Sequence, residues 1–165
     1  MRITTSRKVP LTVVSGGISE IILASFYAIM FNGEILDGHK YLEEEHLKII
    51  ANSFKYENDF AVDYLRPIIH SMNKQDFLYT AESKLNNRKK NVLVMGDLVE
   101  DIQMVDEKEH DIVLKVGFLN SPERHASLIH KYEESFDMVI TGDGSLAPVI
   151  QLLNDTFHLN ENKFM

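Results

Sequence analysis

Val92-Leu93-Val94-Met95-Gly96-Asp97 and, after a polar interval, Ile112-Val113-Leu114-Lys115-Val116-Gly117 are the two stretches that decide the fold. The first is continuously apolar until Gly96, as strands covered on both faces of a parallel sheet are. Beyond the second, Ser121-Pro122-Glu123 places a capping hydroxyl, a proline at the first helical position and an acid in the first turn. That combination predicts a helix running to about Tyr132. A third apolar run, Met138-Val139-Ile140, leads through Gly142-Asp143-Gly144 into a predicted helix over Ser145–Leu153. Strand, turn, helix and strand in series specify βαβ units. The expected class is α/β, a Rossmann-like parallel sheet flanked by helices.

The same alternation extends toward the start of the chain. Leu11-Thr12-Val13-Val14 is a β-branched run ending in a Ser15-Gly16-Gly17 turn, with a helical pattern from Ser19. Leu42 to Ile50 mixes charge with spaced apolar residues and leads into Ile49-Ile50-Ala51. Phe54 to His70 suggests a hairpin-like excursion, through Val62, Leu65 and Ile68-Ile69. Lys74 to Leu85 reads as a helix with Phe77, Leu78, Ala81 and Leu85 on one stripe. No repeat or linker divides the chain, so a single domain over 1–165 is expected, with loosely ordered ends at 1–8 and 156–165.

Composition narrows the function classes. The 165 residues carry 17 Lys plus Arg against 25 Asp plus Glu, a net charge of −8 with pI near 5.3. Such acidity disfavours binding to nucleic-acid polymers or anionic membranes. The absence of cysteine excludes disulfide scaffolds, thiolate zinc sites and thiol nucleophiles. The longest apolar run, Ile21 to Phe31, is shorter than the roughly 18 residues a membrane span needs. Met1 to Lys8 has no apolar segment after its charges and is not a secretory signal. A soluble, cytoplasmic protein is expected.

In open parallel sheets, ligands bind outside the carboxyl ends of the strands. Ser15-Gly16-Gly17 offers a hydroxyl and backbone N–H groups suited to an anion, although a plain strand-to-helix connection would look the same. After Met95, Asp97 ends a strand and Asp101 follows four residues on. This spacing can aim both carboxylates at one oxygen-liganded Mg²⁺, or leave Asp97 as a cap and Asp101 at the surface. Glu100 points elsewhere, into solvent. Lys74 sits in a helix first turn, where it opposes the dipole, and is otherwise read as a surface lysine. The histidines form no zinc pattern, Glu43-Glu44-Glu45 reads as a solvated face, and the Gly142 to Ser145 turn is explained by capping from Ser145 or Asp143.

Taken in order, Ser15 after a strand, Lys74 before a helix, and Gly96-Asp97 with Asp101 resemble motifs II, III and IV of the haloacid dehalogenase superfamily of phosphatases. Val9 to Ile22, Ile49 to Asp76 with Asn52 and Asn73-Lys74-Gln75-Asp76, Gly96 to Met104, and Ile112 to Leu153 look like the cytosolic 5′-nucleotidase III family. That resemblance implies Mg²⁺-dependent hydrolysis of pyrimidine nucleoside 5′-monophosphates to nucleoside and phosphate. It implies that Ser15 binds the phosphoryl group, helped by the N–H groups of Gly16 and Gly17. Lys74 would neutralise charge on nucleophile and phosphate, Asp97 would hold the metal, and Asp101 would be the second acid there. Leu98-Val99 stand where the family has small or polar residues.

One departure is large. The superfamily's nucleophile opens a D-x-D-x-T motif upstream of motif II, and no aspartate here begins such a motif. The family's cap segment, lying between motifs I and II, is also absent. The sequence therefore reads as the C-terminal portion of a 5′-nucleotidase, lacking the first strand, the nucleophile and the cap. The alternatives are an inactive relative acting as a binding or regulatory partner, and a chain completed by a separate one that supplies the nucleophile strand.

Overall fold

The computed structural model describes residues 9–31, 47–78 and 89–161. Strand β1 (Leu11–Ile18) pairs in parallel with β2 (Leu47–Asn52), and helix α1 (Ser19–Phe31) follows β1 directly. The register runs evenly from Leu11↔Leu47 to Val14↔Ile50, then shifts before Ile18↔Asn52. Ser15, Gly16 and Gly17 thus lie opposite Ala51 alone. They form an irregularity within the strand rather than the separate turn expected from the glycines, and such bulges re-aim side chains at sheet ends.

The excursion after β2 is a true hairpin of β3 (Phe54–Glu57) and β4 (Phe60–Tyr64). Its two-residue loop is Asn58-Asp59, both at positive φ (48° and 66°). These are residue types that tolerate the left-handed region, and such a loop matches the twist of paired strands. Phe54 stacks on Tyr64 with centroids 5.3 Å apart, and every residue of β4 is exposed. An irregular segment with a cis Arg66–Pro67 bond leads to helix α2 (Lys74–Leu78). The remainder of the helix expected to Leu85 lies outside the described residues, as do residues 41–46, including Glu43-Glu44-Glu45.

Strands β5 (Asn91–Gly96), β6 (Ile112–Leu119) and β7 (Met138–Thr141) form a parallel sheet in the order β5-β6-β7. Helix α3 (Pro122–Ser135) joins β6 to β7, and α4 (Ala147–Glu161) follows β7. The buried apolar residues concentrate here: Val94, Val116, Leu119 and Ile140 from the sheet, Tyr132 and Phe136 from α3 and its end, Val149 from α4. Gly117 admits this packing, because a Cβ there would lie 2.5 Å from the Phe136 ring.

Several boundaries differ from expectation. Ser121 occupies the cap position of α3, but its side chain makes no capping bond. Ser145 does cap, accepting the Ala147 N–H at 3.1 Å. Helix α4 continues to Glu161, and residues 1–8 and 162–165 lie outside the description. The parallel α/β class is as expected, and its strands are divided. Among the described residues the parallel strands form two sheets, β1-β2 and β5-β6-β7, rather than one. Helix α2 packs against both β1 and the 3-10 turn Val99–Met104 that follows β5.

Candidate active site at the strand ends

Asp101 decides the character of this region. It lies in the Val99–Met104 turn and is only 2% exposed. One carboxylate oxygen accepts a 2.7 Å charged hydrogen bond from Lys74 Nζ; the other accepts the Leu98 N–H at 3.2 Å. The Lys74 side chain is itself 15% exposed. A lysine that would by default be solvated is held inward, because a buried carboxylate without a partner would be costly. Gly96 makes room for this arrangement, since a Cβ there would collide with the Asp101 side chain. The reading of Asp101 as a surface acid is thereby overturned, and so is that of Lys74 as a surface base.

Asp97 directly follows β5 and is exposed, and its carbonyl accepts the Tyr132 hydroxyl, tying the strand end to α3. Glu100 is not left to solvent alone; its carboxylate lies 3.7 Å from Lys131. Asp97 and Asp101 stand at the same strand end. Among the described residues no group of three or more His, Cys, Asp or Glu is placed to hold a metal ion.

On the other sheet, Ser15 Oγ accepts the Gly17 N–H at 3.0 Å. This corrects one detail. The Gly17 N–H, expected to face an anion together with that of Gly16, is engaged by the serine's own oxygen. The hydroxyl proton remains available to donate outward. Gly16 sits tight against the segment before α2, its absent Cβ position 3.4 Å from the Ile69 carbonyl and 3.7 Å from His70 Cα.

A residue not singled out for any role in the site joins these parts. Asn52, at the end of β2 and 5% exposed, donates from Nδ2 to the carbonyls of Gly16 (2.8 Å) and Ile69 (3.0 Å) and accepts the Ile69 N–H at 2.7 Å. Asn73 accepts the His70 N–H at 2.7 Å and donates to the Ile68 carbonyl at 3.0 Å, fixing the turn that delivers Lys74. An amide ending an apolar strand, Lys48-Ile49-Ile50-Ala51-Asn52, was the available signal, since buried polar groups are kept where they find partners.

The geometry defines an α/β protein of the haloacid dehalogenase-like class, with a hydroxyl-bearing bulge, a buried lysine–aspartate pair and an exposed aspartate at strand ends. The chain belongs to the pyrimidine 5′-nucleotidase (UMPH-1) family, whose profile matches residues 1–157. It is 26% identical over 159 residues to a putative cytosolic 5′-nucleotidase 3 of Caenorhabditis elegans, covering 92% of this chain and 40% of that protein. It is 24% identical over 151 residues to the 7-methylguanosine phosphate-specific 5′-nucleotidase B of Xenopus laevis, covering 89% of this chain and 48% of the relative. The fold matches that of cytosolic 5′-nucleotidase IIIB bound to cytidine with a TM-score of 0.73 at 20% identity, over 93% of this chain and 48% of that one. The chain thus spans less than half the length of the relatives it matches. No helix among the described residues is long and apolar enough to cross a membrane.

Proposed function

We propose that this chain supplies the phosphate-holding portion of a cytoplasmic, Mg²⁺-dependent 5′-nucleotidase acting on nucleoside 5′-monophosphates. The attacking carboxylate would come from a strand that this sequence does not contain. The observation that carries the reading is the buried Lys74–Asp101 pair at the strand ends, on a helix that packs against the strand bearing Ser15.

In the reaction, a carboxylate oxygen forms a bond to phosphorus as the bond from phosphorus to the ribose 5′-oxygen breaks; that oxygen leaves with a proton taken from solvent. Water then cleaves the acyl phosphate to inorganic phosphate. Within this chain, Ser15 donates its hydroxyl proton to a phosphoryl oxygen, and the Gly16 N–H assists. Lys74 offsets charge on the phosphoryl oxygens while Asp101 holds it in place. Magnesium accepts one or two carboxylates together with substrate phosphate and water. The exposed Asp97 would hold the ion, with Asp101, whose oxygens accept from Lys74 and the Leu98 N–H, as the second acid at that strand end. When bound, the metal withdraws charge from the transferring group.

Pyrimidine nucleotides are the substrates the family's name favours. A relative named for 7-methylguanosine phosphate makes that nucleotide the second candidate. The test is phosphate release from CMP, UMP and 7-methylguanosine monophosphate with Mg²⁺, using the chain alone and with an added segment bearing the D-x-D-x-T strand. The expected result is no turnover alone and turnover on addition, abolished by Lys74→Ala and Asp97→Asn. Turnover by the chain alone would refute the missing-nucleophile reading. A folded chain that binds neither CMP nor phosphate would support the inactive-partner alternative.

A further inference from the structure

The phosphate-binding bulge and Lys74 lie on different parts of the chain, and one buried side chain spans the interval. We infer that Asn52 is a positioning residue that sets the separation of Ser15 from Lys74; the inference rests on the phosphate-site reading above. Its three hydrogen bonds all run to backbone 17 or 36 residues away: two to Ile69, one to Gly16.

Gly16 neighbours the hydroxyl that would donate to phosphate. Ile69 lies inside the short turn closed by Asn73, and Lys74 is the next residue. A side chain at Gly16 would meet the Ile69 carbonyl, so Asn52 bridges two closely placed segments. An amide suits this task because it alone presents two donors and an acceptor in one plane. At 5% exposure, water cannot readily replace those bonds, and losing them leaves buried carbonyls and an N–H unsatisfied. Small displacements of a positioned charge are costly in phosphoryl-transfer sites, where alignment does most of the work.

The test is titration of inorganic phosphate into the full chain with Mg²⁺ present, following the Gly16 amide and the Lys74 ε-methylene by NMR. In the unaltered chain both signals move along one saturation curve. In Asn52→Ala the dissociation constant rises roughly tenfold, and the Lys74 response falls away from that of Gly16. Asn52→Asp keeps the side chain's size and its acceptor for Ile69 but turns an oxygen toward two carbonyls; it shows the same decoupling, which keeps the test usable if the alanine variant does not fold. Val149→Ala, in the core of the other sheet, serves as a control for general destabilisation and leaves phosphate affinity unchanged. Equal affinity in the Asn52 variants, or an equal loss in Val149→Ala, overturns this inference while leaving the site reading intact. Absence of any phosphate response in the unaltered chain overturns both.

Discussion

At the scale of single residues, the Lys74–Asp101 pair carries the strongest expectations. Replacing Lys74 by Met removes the cation and leaves a carboxylate buried against an apolar neighbour. Urea unfolding is expected to show a loss of about 3–5 kcal/mol, whereas an exposed pair such as Lys55–Glu57 would cost less than about 1 kcal/mol if broken. Gly96→Ala has a related effect, because its methyl group needs the space of the Asp101 side chain. It is expected to cost about 1–3 kcal/mol by denaturant titration, with a non-additive result when combined with Lys74→Met. The spacing of Asp97 and Asp101 was legible in the sequence; their opposite environments were not. Nothing local to Gly96-Asp97-Leu98 says that Asp101 turns inward, since its partner is 27 residues away. Likewise the Ser15 hydroxyl was legible as an anion donor, but its hold on the Gly17 N–H depends on the bulge geometry.

At the scale of elements, reading was most successful where local chemistry alone determines structure. The continuous apolar run before Gly96 predicts a parallel strand, and β5 is one, although it lies at the edge of its sheet with Val94 buried and Met95 exposed. Asn58-Asp59 made a hairpin possible, but Phe54 to His70 lacks a clean alternation, so the strand limits were not readable. Ser121 looked like a capping residue and sits at the cap without bonding, while Ser145 does bond. The sequence of each permits either outcome. The contact of β6 with α3 yields the prediction at this scale. Gly117→Ala would press a methyl group into the Phe136 ring, and a fall in Tm with about 1–3 kcal/mol of lost stability is expected. Adding Phe136→Leu should recover part of that loss, read by the same thermal melt.

At the scale of the molecule, the buried apolar side chains are unevenly shared. Of the buried ones among the described residues, Ile69 alone lies outside the β5–α4 portion. Amide hydrogen exchange is therefore expected to be slower across β5, β6 and β7 than across β1 and β2, because local opening follows the density of buried contacts. Equal protection of both sheets would count against two units of unequal stability. That division was not legible in the sequence, where each apolar run reads alike and nothing marks which strands find a neighbour on both sides.

The hairpin's outer strand has a different consequence, one of handling rather than chemistry. Phe60-Ala61-Val62-Asp63-Tyr64 is exposed along its whole length, with Phe60 at 75%. It is a β-prone edge whose charged interruptions are Asp63 within it and Arg66 just beyond, and such edges recruit strands from other molecules. Asp63 and Arg66 lie 3.6 Å apart and offset each other, so little net charge at this edge opposes such pairing, and the edge limits the concentration at which the protein stays dispersed.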